Sequence, residues 1–331
     1  MVLPMDNFST RNFSNYGKVL SPHVILIRPE RRQYLTSNSL LFLGDQTYLL
    51  DSGYQYQGDQ LKKIRDAIDI DGILFSHYHI DHVFGCHILP ESKKMIHEEE
   101  VDALRSFDNF IQFCFKDQTI SSQQWNIWKL RFKNLLKREG INDWSDLRLD
   151  NVITFGSNEN IDLGATQLQI LHLPGHSPGH CGVYETENQI LFIGDIDLSG
   201  KFGPWYGWWN SELDTFKKSV EYVIDFVSRN EISRIVSSHT HDVSKEEGMH
   251  LLNNFLHPFD EREQQIKTYI TQKRTGVTLK QITDQSIIYQ GKQSDPPYVR
   301  EYFEFVHVKK HIEALMKKNE VISEGDKIFS T

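Results

Sequence analysis

The sequence predicts a globular α/β protein of about two domains. Its 331 residues exceed the roughly 150 residues of one typical domain. Hydrophobic residues make up 39% of the chain and charged residues 24%, with 20 Gly and 10 Pro, so collagen-like and disordered classes are excluded. Strand-like apolar runs alternate with segments of helical periodicity, and this alternation predicts helices layered on sheets.

The first part of the chain alternates strands with a helix. Three apolar runs separated by turn-forming residues predict buried strands: 24–27, 40–43 and 48–50. Apolar residues at helical spacing predict a helix after them: Leu61, Ile64 and Ile68. Residues 72–75 then return as a strand that runs directly into His77. Strand, helix and strand in this order predict an α/β layer.

A helical insertion and a second set of strands follow. Aromatic-rich stretches within residues 98–150 have helical periodicity, which predicts two or three inserted helices. Apolar runs at 168–173 and 190–193 predict strands that each end in a polar cluster. An amphipathic helix over 212–229 leads to a last core strand at 235–237.

The pattern changes near residue 256 and predicts a domain boundary there. Residues 1–255 form the predicted catalytic domain, and residues 256–331 form a small, mainly helical C-terminal domain. Its expected elements are three helices and a hairpin: 261–271, a helix with Leu279 and Ile282, 307–318, and a hairpin near 319–329. Its 12 basic and 11 acidic residues are balanced, whereas a nucleic-acid-binding arm carries a basic excess.

Amino-acid composition and the number and spacing of cysteines make several classes of function less plausible. The formal charge of −9 disfavours a protein that coats nucleic acid or an anionic membrane. No apolar run approaches the ~20 residues of a membrane span, and the N-terminus lacks a signal-peptide pattern, so a cytoplasmic protein is expected. Cys86, Cys114 and Cys181 have no CxxC spacing, which favours reduced thiols over disulfides or a cysteine-based zinc site.

Histidines and aspartates cluster at the ends of predicted strands. Five strand ends carry them: Asp51, the block His77-Tyr78-His79-Ile80-Asp81-His82, His176, Asp195 and His239. Side chains at the carboxyl ends of α/β strands meet at one sheet edge, where ligands bind. In an extended segment His77 and His79 lie on one side, ready to share a metal ion, while Asp81 and His82 face another direction. His87 and His241 are assigned no role.

The order of these residues resembles a known family. The block from His77 to His82 is preceded by Leu50-Asp51-Ser52-Gly53 and followed by three further motifs: Gly175-His176-Ser177-Pro178-Gly179-His180, Gly194-Asp195 and Ser238-His239. Together they resemble the metallo-β-lactamase superfamily over roughly residues 20–242. The resemblance implies an αββα sandwich that carries the helical insertion and the C-terminal domain.

The resemblance also implies the metal ligands of a hydrolase. The implied groups are His77, His79 and His176 for one ion, Asp81, His82 and His239 for the other, and Asp195 as the bridge. Asp81, Asp51 and His180 are the catalytic candidates. Asp51 would orient a ligating histidine, although a turn-capping role stays open for it. His180 is interpreted as a pocket group or as a structural hydrogen-bonding residue.

A pair of divalent cations would supply the nucleophile of such an enzyme. Two cations about 3.5–4 Å apart bind a water between them and lower its pKa to near 7, which makes hydroxide available at neutral pH. Asp81 could relay the proton. Zinc is favoured because imidazoles with carboxylates suit it, and iron and manganese are the alternatives.

An aromatic segment follows the bridging aspartate and predicts a substrate pocket. Trp205, Tyr206, Trp208 and Trp209 are expected to wall an apolar cavity, and the 98–150 insertion could roof it. The C-terminal domain is similar in outline to the winged-helix appendage of some members of the superfamily.

Three functions follow from these residues. The leading hypothesis is a dinuclear metal-dependent hydrolase that cleaves an ester, thioester or lactone bond of a small molecule. A ribonuclease or other phosphodiesterase is less favoured, because the loops 77–87 and 195–210 contain Lys201 as their single lysine or arginine. A mononuclear-iron persulfide dioxygenase would use His77, His176 and Asp195. Whether the chain forms a homodimer stays open.

Overall fold

The computed structural model describes residues 15–30, 36–54, 58–115, 121–290 and 297–331. Within them the chain forms two compact units. The first unit contains the chain up to Leu173, together with Gly179–Asp195 and Asn230–Lys245. The second unit contains Pro174–Pro178, Ile196–Arg229 and Glu246–Thr331.

The first unit contains a mixed seven-stranded sheet. Its strands lie side by side in chain order: β1 Lys18–Ser21, β2 Val24–Ile27, β3 Ser39–Phe42, β4 Tyr48–Leu50, β5 Gly72–Leu74, β6 Lys93–His97 and β7 Val152–Phe155. Strands β1 to β4 pair antiparallel, and β4 to β7 pair parallel. The predicted strands at 24–27, 40–43, 48–50 and 72–75 are confirmed to within a residue or two.

A five-stranded sheet forms the second β layer of this unit. Its strands are β8 Asn160–Asp162, β9 Gln167–His172, β10 Cys181–Glu185, β11 Ile190–Phe192 and β12 Arg234–Val236. The spatial order is β12-β11-β10-β9-β8, and β11 and β12 form its parallel pair. Leu26 and Phe42 of the first sheet share one hydrophobic cluster with Ile170 and Phe192 of the second. The two sheets are therefore the inner layers of the predicted sandwich.

Short helices connect the strands of the first unit. They are α1 Gly58–Arg65, α2 Ile80–Val83, α3 Val101–Leu104, α4 Phe107–Cys114 and α5 Ser122–Arg138, with 3-10 turns at Phe84–Ile88, Glu98–Glu100 and Trp144–Leu147. Helices α3 to α5 are the predicted insertion. The ring of Phe110 on α4 lies 5.7 Å from the ring of Tyr78, so the insertion packs against the histidine motif.

The second unit contains the remaining helices and a small sheet. Its elements are α6 Leu213–Arg229, α7 Lys245–Thr271, β13 Val277–Thr278, α8 Leu279–Thr283, α9 Pro297–Lys317, β14 Val321–Glu324 and β15 Lys327–Ser330. From α7 onward the order is helix, strand, two helices and two strands, with β15 between β13 and β14. The mainly helical character of the C-terminal region is confirmed, and its winged-helix-like outline stays a prediction. Helix α7 runs through the predicted boundary at residue 256, so the expected helix 261–271 is the end of a longer one.

Among the residues that the structure describes, no helix combines the length and the apolar composition that crossing a bilayer requires.

Candidate metal centre

The histidine motif begins where β5 ends and finishes inside α2. His77 and His79 lie on the extended segment between these elements, and their ring centroids are 4.4 Å apart. The chain then turns into α2, which carries Asp81 and His82. An extended segment followed by a helical turn therefore produces two separate pairs of donors, as the sequence predicted: His77 with His79, and Asp81 with His82.

Two groups of donor atoms meet in the first unit. Ligand atoms of His77, His79 and Asp195 lie within 4.8 Å of one another, and so do those of Asp81, His82 and His239. Asp195 faces both groups with different oxygens. Its Oδ2 lies 3.8 Å from His77 Nε2, whereas its Oδ1 lies 3.2 Å from His82 Nε2 and 3.2 Å from His239 Nε2.

Hydrogen bonds at Nδ1 orient the rings of His77, His82 and His239 so that Nε2 of each faces the donor groups. His82 Nδ1 contacts Asp51 Oδ2 at 2.7 Å, and His239 Nδ1 donates to the carbonyl oxygen of Thr36 at 3.0 Å. His77 Nδ1 contacts Ser76 Oγ at 3.0 Å. A neutral imidazole that donates through Nδ1 keeps a lone pair on Nε2. Each of these histidines is therefore prepared to bind a metal ion through Nε2.

The donor set fits divalent metal ions. The lone pair of a neutral His82 would face the lone pairs of Asp195 Oδ1 across 3.2 Å, and a cation or a proton must relieve this repulsion. Burial lowers the pKa of His82, but the carboxylates of Asp51, Asp195 and Asp81 outweigh burial and raise that pKa well above its usual value. Burial raises the pKa of Asp81, against the opposing effect of His82 and His239. Protons and metal ions therefore compete for this centre.

Asp51 orients the motif from behind. The residue is fully buried, and its carboxylate accepts hydrogen bonds from the backbone N–H of Ser76 at 2.7 Å and from Ser76 Oγ at 2.8 Å, besides its contact with His82. The carboxylate thus fixes the tautomer of His82 and, through Ser76, the ring of His77. This geometry favours the orienting role over a turn cap.

His180 holds the backbone of the bridging residue. Its Nδ1 donates to the carbonyl oxygen of Leu173 at 2.9 Å, and its Nε2 accepts the backbone N–H of Asp195 at 2.9 Å. Both ring nitrogens are engaged with the backbone and the side chain is fully buried, so the structural interpretation replaces the catalytic one. A Cβ on Gly194, which has φ of 55°, would lie 2.2 Å from His180 Nε2, which explains the glycine.

His176 belongs to the second unit. Its Nδ1 donates to the carbonyl oxygen of Trp205 at 2.9 Å, which leaves the lone pair on Nε2 as in the other histidines. Ser211 Oγ donates to the carbonyl oxygen of His176 at 2.8 Å. Its share in a metal centre stays a prediction of the motif.

The predicted aromatic pocket requires a correction at Tyr206. Its side chain is fully buried, its ring stacks on Phe259 with centroids 5.6 Å apart, and its hydroxyl contacts His311 Nε2 at 2.7 Å. A ring without contact with solvent cannot wall a pocket, so Tyr206 is a core residue. Trp205, Trp208 and Trp209 are half-buried, and for them the pocket role stays a prediction.

The structure adds Glu100, which the sequence did not suggest. Its buried carboxylate accepts the backbone N–H of Tyr78 through Oε2 at 2.7 Å and that of Gly179 through Oε1 at 2.9 Å. The side chain thus joins the histidine motif to the segment after His176. An acidic residue in the run Glu98-Glu99-Glu100 gives no signal of this role, because such runs are usually exposed.

A third histidine group, absent from the predictions, lies in the same unit. Donor atoms of His97, Glu99 and His172 lie within 4.8 Å of one another. The rings of His97 and His172, however, are stacked with centroids 4.2 Å apart and 17° between their planes. A metal ion lies in the plane of each ligating ring, which two stacked rings cannot provide. Ser157 Oγ instead contacts His97 Nε2 at 3.2 Å and His172 Nδ1 at 2.9 Å.

Comparison with known proteins agrees with this geometry. A model of the metallo-beta-lactamase superfamily matches residues 33–239, which is more than half of the chain. The chain belongs to the metallo-beta-lactamase superfamily. This membership confirms the resemblance drawn from the motifs and, with the two donor groups, supports the predicted class of metal-dependent hydrolases.

Curated relatives of this superfamily member are distant. Acyl-coenzyme A thioesterases MBLAC2 of Bos taurus and Homo sapiens are each 23% identical to it over 182 residues, which are 55% of this chain. The match spans 60% of the length of these relatives. Hydroxyacylglutathione hydrolase GloC of Haemophilus influenzae is 44% identical over 45 residues, which are 14% of this chain and 21% of that protein.

Solved structures of the superfamily match most of the chain. A metallo-beta-lactamase family protein from Thermus thermophilus has a TM-score of 0.66 and 16% identity, covering 95% of this chain and all of the other. A beta-lactamase domain protein from Burkholderia ambifaria has a TM-score of 0.66 and 15% identity, covering 95% of this chain and 93% of the other. At such identities these matches demonstrate the fold alone.

Proposed function

We propose that the protein is a dinuclear metal-dependent hydrolase that cleaves a thioester, ester or lactone bond of a small molecule. The observation that carries this proposal is the position of Asp195, whose two carboxylate oxygens face two different groups of histidines. A carboxylate with one oxygen toward each donor group would be shared by two cations if both were bound.

The ligands divide between two ions. His77 and His79, with His176 as the motif implies, would hold the first ion, and Asp81, His82 and His239 would hold the second. When bound, two divalent cations supply a water of lowered pKa as nucleophile and polarise the carbonyl oxygen of the substrate. Zinc suits a set of imidazoles and carboxylates best, and iron or manganese fits the same donors.

The other polar residues of the centre hold these ligands in place. Asp51 and Ser76 fix the imidazole of His82, and His180 fixes the backbone of Asp195. Asp81 is the proposed proton relay, because its Oδ2 lies 3.6 Å from His82 Nε2 and 3.8 Å from His239 Nε2 and burial raises its pKa. A carboxylate with a raised pKa accepts a proton more readily near neutral pH.

Thioesters are the first substrates to test. The acyl-coenzyme A thioesterases are similar to this chain over 182 residues, which favours a sulfur leaving group. A cysteine nucleophile is disfavoured, because burial raises the pKa of the Cys181 thiol and brings that of Cys86 to about 12. Both thiols are therefore protonated at neutral pH.

The experiment combines metal analysis with a substrate panel. Protein purified without chelator is analysed for metal content and assayed for thiol release from acyl-coenzyme A thioesters of different chain length, together with ester and lactone substrates. We expect two metal ions per chain and turnover of at least one thioester. His239→Ala should lose one ion and turnover, whereas His241→Ala, an exposed histidine two residues away, should keep both.

Two outcomes would contradict the proposal. Cleavage of single-stranded RNA without cleavage of any member of the panel would favour a phosphodiesterase. One iron per chain with oxygen consumption on a persulfide would favour a dioxygenase, and His239→Ala would then retain its metal.

A further inference from the structure

The loop of residues 202–211, hereafter the 202–211 loop, is held from one side by two buried cations of the second unit. Within it the carbonyl oxygens of Phe202, Pro204, Tyr206 and Trp208 accept hydrogen bonds from Arg262 or Lys310. Successive carbonyls of an extended chain point in opposite directions. The carbonyl of Trp205 is therefore turned the other way, and it accepts the Nδ1 hydrogen of His176.

Lys310 on α9 holds the middle and the end of the 202–211 loop. Its side chain is buried, and its Nζ donates to the carbonyl oxygens of Tyr206 at 3.0 Å, of Ser211 at 2.7 Å, and of Trp208. Three acceptors require three N–H donors, which the ammonium form of lysine has. Burial lowers the pKa of Lys310 well below its usual value, and Glu313 and Glu212 offset only part of this effect.

Arg262 on α7 fixes the start of the same loop. Its Nη1 donates to the carbonyl oxygen of Pro204 at 2.6 Å, and its Nη2 donates to that of Phe202 at 2.7 Å. Nη1 also lies 3.2 Å from the hydroxyl of Tyr206. The backbone on both sides of Trp205 is therefore anchored to charged side chains.

The end of the 202–211 loop is tied to the segment that contains His176. Ser211 receives the Lys310 bond at its carbonyl oxygen, while its Oγ donates to the carbonyl oxygen of His176 at 2.8 Å. The next backbone N–H, of Glu212, donates to the carbonyl oxygen of Gly175 at 2.7 Å. Lys310 thus acts on two hydrogen bonds of His176, through Trp205 on its ring and through Ser211 on its backbone.

We propose that Lys310, supported by Arg262, is a positioning residue for His176 as a metal ligand: it places the Trp205 carbonyl that keeps the proton on Nδ1 and the lone pair on Nε2. This inference rests on the proposed function, because it takes His176 to be a ligand. The C-terminal helices thereby act on His176 through the 202–211 loop. Groups that orient a ligating histidine typically change metal affinity by about 10- to 100-fold.

The test measures metal binding rather than turnover. Full-length Lys310→Met is titrated with Zn2+ against a chromogenic chelator, and the absorption spectrum of the Co2+ form reports the coordination of the ion. We expect a dissociation constant for the more weakly bound Zn2+ that is about 10-fold or more above the parent value, with an altered Co2+ spectrum. Lys317→Met, an exposed lysine on the same helix, should bind like the parent.

A second variant crowds the 202–211 loop without removing a charge. In Gly207→Ala the new Cβ would lie 2.8 Å from His307 Cε1 and 2.9 Å from the side chains of Phe303 and Trp205, so the loop or these side chains must shift. We expect weaker Zn2+ binding here as well, which keeps the test decisive if Lys310→Met does not fold. Circular dichroism of each variant verifies folding.

The outcomes separate this inference from the proposed function. Folded Lys310→Met or Gly207→Ala with parental Zn2+ affinity and Co2+ spectrum would overturn the positioning role. His176→Gln serves as the reference, because parental affinity in that variant would remove His176 from the ligand set itself. A chain that binds two Zn2+ ions but hydrolyses no thioester would reject the substrate and leave the role of Lys310 intact.

Discussion

The protein buries two polar clusters of opposite character. In the second unit, Arg262 and Lys310 are surrounded by backbone carbonyls that accept their hydrogen bonds. In the first unit, the Nε2 atoms of His82 and His239 face a carboxylate oxygen of Asp195 at 3.2 Å, with their Nδ1 hydrogens already used elsewhere. One cluster satisfies its charges within the protein, and the other directs lone pairs at one another.

This difference distinguishes a structural network from a ligand site. A buried polar group costs about 1–3 kcal/mol when it lacks a partner, so a satisfied network contributes to stability and specificity. A cluster whose lone pairs converge gains its stability when a cation binds, and before that it is repulsive. Substitutions in the hydrogen-bonded network of the second unit should therefore lower stability. Substitutions in the ligand site of the first unit should lower metal binding and activity.

The largest expected effect is that of Asp195→Asn. The amide removes the charge shared between the two donor groups, so turnover should fall by about 10³-fold or more and at least one metal ion should be lost. The metal-free variant should unfold at the same or a higher denaturant concentration than the metal-free parent, because a repulsive contact is relieved. Asp197→Asn, the next carboxylate along the chain, is the control. A marked loss of stability with full metal content would contradict the comparison.

Asp51→Asn should have the next largest effect. The amide cannot accept from Ser76 and His82 as the carboxylate does, and the imidazole of His82 loses its orientation. We expect metal affinity to fall by about 10- to 100-fold while the fold is kept. Competition with a chelator measures this change, and unchanged affinity would leave Asp51 with a turn-forming role alone.

The satisfied cluster should make stability depend on pH. Burial, together with Arg262 and Lys318, lowers the pKa of His311 to about 3. A folded-state pKa below the unfolded value of about 6.5 means that the contribution of His311 is complete above pH 6.5 and is lost as the pH falls toward 3. Between pH 7 and pH 5 the expected loss is about 2 kcal/mol.

Denaturant unfolding of the metal-free chain at these two pH values checks the effect of His311. The variant His311→Gln should lose less stability on acidification than the parent does, because its side chain does not titrate. His241→Gln, at an exposed histidine, should behave like the parent. Equal pH dependence in the parent and His311→Gln would refute the assignment to this residue.

Tyr206→Phe should have the smallest effect and sharpens the correction of the predicted pocket. Removing the hydroxyl leaves His311 Nε2 and Arg262 Nη1 without one buried contact each, which should cost about 1–3 kcal/mol of unfolding free energy. Metal content and KM should stay at parental values, because the ring keeps its packing on Phe259. A raised KM with unchanged stability would return Tyr206 to the substrate pocket.

Sequence periodicity identified most elements but not all. The apolar runs of β2, β4 and β11 are buried throughout, and such runs are recognisable without any contact information. Strands β1, β6, β7, β8, β10 and β13 were not predicted. Strand β6, with the sequence KKMIH, begins with two lysines, and β10 contains Gly182, so neither has a continuous apolar run. Their assignment depends on pairing with neighbouring strands, which a local pattern does not contain.

The roles of some side chains could likewise be predicted from the sequence, whereas the roles of others could not. The spacing of His77, His79, Asp81 and His82 defines their chemistry, because few structural needs place so many metal-binding groups in six positions. Tyr206 was assigned to the substrate pocket and is a packing residue instead. His180, for which a structural role stayed open, is a hydrogen-bonding residue, and Glu100 was overlooked. An aromatic ring or a carboxylate can serve either purpose, and burial with its partners decides which.

The sequence by itself determined the fold class, the family and the residues able to bind a metal, since those depend on residue type and on local spacing. The tertiary structure decided which hydrogen-bond partner orients each histidine ring, that Asp195 faces both donor groups, and that the 202–211 loop is anchored through buried cations. These properties arise from hydrogen bonds between residues far apart in the chain, such as His239 with Thr36. The direction of a hydrogen bond, and whether its donor and acceptor are paired, depend on the folded arrangement. No single position in the sequence specifies them.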